Sequence, residues 1–322
     1  MKLNSATTVV SIVVPLFNEE NNIEPLYNRI EKLFVGRGDQ FELIFVNDGS
    51  ADRSAEIIER LRQRDEKVKT ICLSRNFGHQ VALSAGLDYA DGDAVILIDA
   101  DLQHPPEVIP ELLKKWREGY DNVYTIRKPP KNLPFLKKYF SQFFYRTFRK
   151  LTKLDIPMNS ADFRLLDRKI VLELRKIKER NRFLRGLIYW TGFKSIGIEY
   201  DEDHRYSGEV KYNIKTMLLF AINAIVSFTN VPLYLGILVG VMFSFFGLIF
   251  LGYAVYIHFF TGTSVPGWAS IVCLLSILGG IQLIVMGLIG VYIGKIFEEV
   301  KQRPLYLVKY SKGFNEKDIR AT

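Results

Sequence analysis

Residues 94–103 read AVILIDADLQ: five apolar residues run directly into Asp99, Asp101 and Gln103. An uninterrupted apolar run of this length predicts a strand buried on both faces. Two carboxylates at i and i+2, where the chain leaves such a strand, can address one point. Hard divalent cations take oxygen ligands, and Mg²⁺ or Mn²⁺ is commonly shared with substrate phosphates. A DxD pair alone is often only a solvated turn. Its position after a wholly apolar strand is what gives this one weight.

Further strands are predicted upstream at 9–16 (VVSIVVPL), 41–46 (FELIFV) and 68–73. Helical periodicity falls between them at 22–35, 54–64 and 80–90. Strands alternating with helices at this spacing predict an α/β fold with a mostly parallel sheet and right-handed crossovers. Ligands bind such sheets at the carboxyl ends of the strands. Pro15 to Glu19 (PLFNE) and Asp48 in VNDGS stand at two such ends, as Asp99 stands at a third. Read blandly, NDGS is a turn and Asn18 a helix cap. His79 and His104 lie near the site and read as hydrogen-bonding loop residues, because the carboxylates already supply oxygen.

The 322-residue chain has a formal net charge of +8, yet no Lys, Arg, Asp or Glu occurs between Lys215 and Lys295. That uncharged stretch points the basic surface toward anionic lipid and phosphorylated substrates rather than nucleic acid. Two spans are expected, at roughly 233–258 and 268–294, each long enough to cross a bilayer. Lys295, Lys301, Arg303, Lys309 and Lys312 follow the second span. By the positive-inside rule the soluble domain and the tail both face the cytoplasm, with the chain in the plasma (inner) membrane. Residues 127–150 hold eight Lys or Arg and no acid, with Leu136, Phe140, Phe143, Phe144 and Phe148 at helical spacing. They predict an interfacial amphipathic helix, and 212–228 predicts a second amphipathic stretch. Gly236/Gly240 and Gly290/Gly294 have the GxxxG spacing that lets helices approach closely, which points to a homo-oligomer. The two cysteines, Cys72 and Cys273, fall in different parts of the chain and are not expected to pair. The expected division is 1–210 soluble domain, 211–231 juxtamembrane helix, 232–295 membrane hairpin and 296–322 cytoplasmic tail.

VPLFNEENNI, VNDGSADRS, LSRNFGHQVALSAGLDYADGD and DADLQHPPE, in that order, resemble the family 2 glycosyltransferases of GT-A fold. ADFRLLDR, ERNRFLRGLIYWTGFK, RYSGEVKYN and the two apolar segments are similar to one branch, the polyisoprenyl-phosphate glycosyltransferases. Within it the bactoprenol glucosyltransferases are nearest and dolichyl-phosphate mannose synthase is related. The resemblance implies that Pro15, Phe17 and Glu19 hold the base and ribose of UDP-glucose, with Val46 and Asp48 on the uracil side. Phe17 stands where the family more often has Tyr. Asp99, Ala100, Asp101 and Gln103 would hold the diphosphate and a Mg²⁺ or Mn²⁺ ion. Arg127, Arg205 and Lys211 would grip phosphates, including that of the lipid acceptor; Val210 stands where the family usually has Ser. Asp162 matches a proposed catalytic base. It is either that base or a group that orients Arg164, which the need to bring two anions together sets beside Arg127, Arg205 and Lys211 as a neutralising cation. The resemblance also implies a tetramer. A processive synthase would need a QxxRW-type motif, which RGLIYW does not match, and a scaffold homologue would be expected to lose Asp99, Asp101 and Gln103. A mannose or 4-amino-arabinose donor remains open alongside glucose.

Overall fold

The computed structural model describes residues 8–128, 157, 160–180, 182–201, 231–261 and 267–314. Strands β1 (Val9–Leu16), β2 (Gln40–Asn47), β3 (Val68–Leu73) and β4 (Ala94–Leu97) alternate with helices α1 (Ile23–Phe34), α2 (Ser54–Arg64) and α3 (His79–Tyr89). A short 3₁₀ turn, Pro106–Val108, leads into α4 (Ile109–Arg117) and β5 (Asn122–Arg127). Then come β6 (Ser160–Asp167), α5 (Arg168–Lys176), α6 (Leu184–Trp190) and β7 (Ser195–Tyr200). Two long helices follow, α7 (Val231–Thr261) and α8 (Trp268–Val300), and the last strand is β8 (Val308–Lys312).

All eight strands form one sheet in the order β7-β5-β6-β4-β1-β2-β3-β8. The β4-β1-β2-β3 core is parallel, as its apolar strands predict. β6 runs antiparallel between β4 and β5, and β8 runs antiparallel along β3. One face of the sheet, with Ile12, Val14, Phe45, Ile96 and Phe163, packs on Leu26, Ile30, Leu61 and Leu112. Against the other face lies α3, so closely that a Cβ on Gly86 would stand 2.2 Å from Val13 Cγ1. Because α3 follows β3 directly, its first residues, His79 and Gln80, start at the carboxyl edge of the sheet.

The contacts divide the chain into Met1–Lys211 with Arg303–Thr322, and Tyr212–Gln302. Described residues 303–314 thus group with the sheet, to which they add β8. β8 was hard to see because VKYSK is short and half charged. In the second unit, Ile277–Val300 is long and apolar enough to cross a membrane, and its side chains are exposed. The apolar stretch of α7 among the described residues, Gly236–Phe250, is shorter. Of the two expected spans, one thus meets the criterion. Apart from Arg127, Lys128 and Val231, the expected helices within 127–150 and 211–231 lie outside the described residues. Cys72 is buried and free.

β8 is tied down by Lys312, whose Nζ lies 3.3 Å from Glu59 Oε2 on α2. Arg62 forks onto the same carboxylate at 2.8 and 3.1 Å. The Arg62 hydrogen bond, helped by Lys312, lowers the Glu59 carboxyl from 4.5 to about 2. A depressed carboxyl stabilises the fold above its unfolded value and loses that contribution as pH falls through the folded one. Glu59→Gln is therefore expected to lower the melting temperature at neutral pH. It should also flatten the fall in melting temperature between pH 4.5 and about 2.

Candidate active site

The DADLQ turn begins where β4 ends. Asp101 Oδ1 accepts from Gln103 N at 3.1 Å and closes the turn. Leu102 adopts φ +61°, a conformation that side-chain-bearing residues seldom hold and that clusters at functional sites. Asp99 N donates to Nδ1 of the buried His104 at 3.5 Å, and that imidazole stacks on Phe163. Asp99 Oδ1 is buried and makes no hydrogen bond, although His79 Nε2 stands 3.4 Å away as an ionic neighbour. His104 is thus a buried loop residue that holds the Asp99 backbone, whereas His79, expected in a loop, opens helix α3.

β6 supplies the opposite wall. Its antiparallel ladder with β4 ends at Leu97↔Arg164, so two further residues on each strand bring Asp99 and Asp162 to face one another. His79 bridges them, with Nε2 3.7 Å from Asp162 Oδ2. The main partner of Asp162 is Arg185 on α6, which donates Nε to Oδ1 at 2.6 Å and Nη2 to Oδ2 at 2.9 Å. Gln80 completes the node: its Nε2 lies 3.4 Å from Asp162 Oδ2, and its Oε1 accepts from Leu184 N at 3.2 Å. Burial alone would raise the Asp162 carboxyl, but the Arg185 guanidinium outweighs it and holds the group well below the usual carboxylate range. Burial likewise opposes the charged form of His79, yet Asp99 and Asp162 prevail and push the imidazole up to about 9.

Arg164 occupies a different place from the one expected. It is fully buried, its Nη2 donates to Ala161 O at 2.7 Å, and its Nη1 has no hydrogen-bond partner. It acts on Asp162 through its field, while the side chain that pairs with Asp162 at two points is Arg185. Arg185 was not singled out in the sequence. The available signal was a lone cation among Leu184, Leu187 and Ile188, all buried.

Asp48, fully committed to structure, accepts from Phe77 N at 2.7 Å and Gly78 N at 2.9 Å. Burial raises its carboxyl, and these two donors offset that only in part. Asp48 thereby ties the end of β2 to the loop that starts α3. The neighbouring loops are stitched together by Asn18, whose Oδ1 accepts from Ala51 N at 2.8 Å. Asn18 therefore caps no helix; with φ +57° it is a second strained residue at this edge. Pro15, Val46 and Ala100 have buried side chains, so they offer a ligand backbone only. Phe17 is 45% exposed, a ring open to stacking. Glu19 Oε2 accepts from Asn22 Nδ2. Arg127 ends β5 at the same edge of the sheet, next to the Ile126↔Ser160 pair. Arg205 and Lys211 lie outside the described residues.

Residues 11–175 match Glycosyl transferase family 2. The chain belongs to this family. This glycosyltransferase is 45% identical over 309 residues to the glycosyltransferase YkcC of Bacillus subtilis (strain 168), covering 96% of each chain. It is 37% identical to the prophage bactoprenol glucosyl transferase homolog of Escherichia coli (strain K12), covering 93% of this chain and 98% of that one. It is also 37% identical to the bactoprenol glucosyl transferase of Shigella phage SfII, covering 94% and 98%. The α/β sheet with its mostly parallel core is the GT-A-like architecture that the glycosyltransferase motifs implied.

Asp99 and Asp101 fit a hard divalent cation. Asp99 Oδ1 is a buried oxygen without a hydrogen bond, and both groups are carboxylates on one tight turn. Among the described residues no group of three or more His, Cys, Asp or Glu could hold an ion unaided. That is the donor set of an ion completed by substrate phosphate and water.

The turn after Asp48 tests how this edge is held. Gly49 has φ +71°, and a Cβ there would stand 2.5 Å from the Arg75 carbonyl carbon. Gly49→Ala should force the loop of residues 75–78 away and cost about 1–3 kcal/mol of stability. The expected readout is a lower melting temperature than wild type.

Proposed function

We propose that this glycosyltransferase moves a hexose, glucose from UDP-glucose, onto the phosphate of a polyisoprenyl lipid at the cytoplasmic face of the membrane. The observation that carries the reading is the pairing of β8 with β3. The sheet takes seven strands from before α7 and α8 and one from after them. A chain that leaves this domain and returns to it must cross a bilayer an even number of times. If α8 crosses, a second crossing is required, and α7 with 31 residues is long enough at about 1.5 Å per residue. The chain would then tether the sheet domain to the bilayer, where lipid phosphates are found. The relatives named bactoprenol glucosyl transferase support the same acceptor and sugar.

In the mechanism, Phe17 stacks on the base, and backbone at Pro15, Val46 and Ala100 lines the nucleotide. Asp99 and Asp101, with Gln103 beside them, would hold a Mg²⁺ or Mn²⁺ ion, which would supply Lewis-acid stabilisation of the diphosphate charge. Arg127, Arg205 and Lys211 neutralise phosphate. An acceptor phosphate oxygen displaces UDP at the anomeric carbon in one step, so configuration inverts. A phosphate monoester has a second pKa of about 6 and is already largely dianionic at neutral pH. Two anions must be brought together, and the catalytic demand falls on cations rather than on a base. A carboxylate held far below its usual range is a weak base, so Asp162 serves as the anchor of Arg185.

Transfer of labelled glucose from UDP-glucose to undecaprenyl phosphate in detergent, with Mg²⁺ or Mn²⁺, tests the reading. Wild type should form a β-linked lipid product, and Asp101→Asn should lower the rate by at least about a hundredfold. No product from wild type with any nucleotide-sugar, or an α-linked product, would refute it. Asp162→Asn should slow turnover while leaving the shape of the kcat pH profile unchanged. Loss of an acidic limb with an ordinary carboxylate pKa would instead mark Asp162 as the base.

A further inference from the structure

We propose that His79 and Asp162 form the subsite for the transferred sugar, binding one hydroxyl of the hexose between them. This rests on the nucleotide-sugar reading above and adds the residues that would grip its sugar.

Chemistry names the ligand. His79 Nε2 lies 3.4 Å from Asp99 Oδ1 and 3.7 Å from Asp162 Oδ2. Both separations exceed an ordinary N–H···O contact of about 2.9 Å. The imidazole therefore stands between the two carboxylates without closing tightly on either, and its side chain is 44% exposed. An oxygen placed about 2.9 Å from both His79 Nε2 and Asp162 Oδ2 would accept from the one and donate to the other. A hydroxyl is the group that does both. A phosphate oxygen only accepts, and it would meet the charge of Asp162.

Location names the part of the substrate. Along the sheet β1, β4 and β6 are consecutive neighbours, about 4.8 Å apart from one to the next. At the edge that carries the site, Phe17 follows β1, the DADLQ turn follows β4, and Asp162 stands on β6. With the base on Phe17 and the diphosphate at Asp99 and Asp101, the next group along this edge is the hexose. It falls over the gap between Asp99 and Asp162, and His79 occupies that gap.

The chain on either side of His79 is pinned. Phe77 N and Gly78 N donate to Asp48 at 2.7 and 2.9 Å, and Gly78, at φ +101°, turns the chain into α3. One residue further on, Gln80 reaches Asp162 Oδ2 through Nε2 at 3.4 Å and accepts from Leu184 N through Oε1 at 3.2 Å. The imidazole is thus presented by a rigid support, which recognition of a single hydroxyl requires.

The test uses the full chain in detergent with Mg²⁺ or Mn²⁺, and measures binding of UDP-glucose beside that of UDP, which lacks the sugar. His79→Ala should weaken UDP-glucose about 5- to 20-fold, as expected for loss of one hydrogen bond, and leave UDP within about twofold. His79→Gln keeps an N–H donor and should recover part of the loss. Analogues of UDP-glucose that each lack one hydroxyl identify the group. For one of them wild type should lose about the same factor, and His79→Ala should lose nothing further. Equal weakening of UDP and UDP-glucose would overturn the assignment, since His79 would then act through Asp99 on the diphosphate. Unchanged affinity for both, or additive losses with every analogue, would overturn it too. Failure of the nucleotide-sugar reading shows separately: wild type then transfers no glucose from UDP-glucose, and the comparison is made with the nucleotide-sugar that it does transfer.

Discussion

The antiparallel pairing of β6 with β4 sets Leu97 opposite Arg164 and so turns Asp99 and Asp162 toward each other just beyond the ladder. Side chains alternate along a strand, so this register also sends Ala161, Phe163 and Leu165 into the core shared with α4. A slip of one residue would exchange the two faces. Phe163 would then no longer stack under His104, and His104 would no longer hold the backbone of Asp99. The same slip would take Asp162 from Arg185 and Gln80. One register therefore supports both walls of the site, the DADLQ turn through Phe163 and the α6 cation through Asp162.

Burying a carboxylate is costly, and the molecule meets that cost with donors gathered from distant parts of the chain. Asp162 collects Arg185, Gln80 and His79, while Asp48 collects two backbone N–H groups. The two outcomes differ because the donors differ. Neutral N–H groups leave Asp48 with a raised carboxyl, whereas a guanidinium in direct contact drives that of Asp162 down. Asp48 consequently reads as a structural knot between two loops and Asp162 as a fixed negative charge. Arg164 carries the other side of this arrangement. A fully buried guanidinium with one nitrogen unbonded is unfavourable unless a nearby anion compensates, and Asp162 is that anion.

The parallel core was legible because strands buried on both faces must be apolar throughout, and VVSIVVPL, FELIFV and AVILI have no other economical reading. β6 was not legible as a strand. SADFRLLD carries charge at three of its eight positions, and only its partners in space make those charges tolerable. The same holds for Arg185, whose carboxylate lies 23 residues away in sequence. Asp99 and Asp101 were found because a DxD after a strand is a local signal, while the setting of Asp162 is a property of register. Helix periodicity located α3, but it gave no hint that His79 would stand between the two carboxylates.

β8 joins these observations to the membrane. Without it β3 would be an open edge, and the strand that covers it carries Lys309 and Lys312, charges that discourage further pairing. The residues on either side of β8 also hold α3 by its far end: Tyr306 donates to Asp88 Oδ2 at 2.9 Å, and the ring of Phe314 packs edge-on against Tyr89. The near end of α3 presents His79 and Gln80 to the site. The residues that return from the apolar helix and the residues that position Asp99 and Asp162 therefore meet on one eleven-residue helix. Packed flush against β1 and β2 at Gly86, that helix cannot shift at one end without moving the other. The chain that follows α8 is thus part of what gives the site its geometry, and the sheet domain is completed only after the chain has come back from the apolar segment.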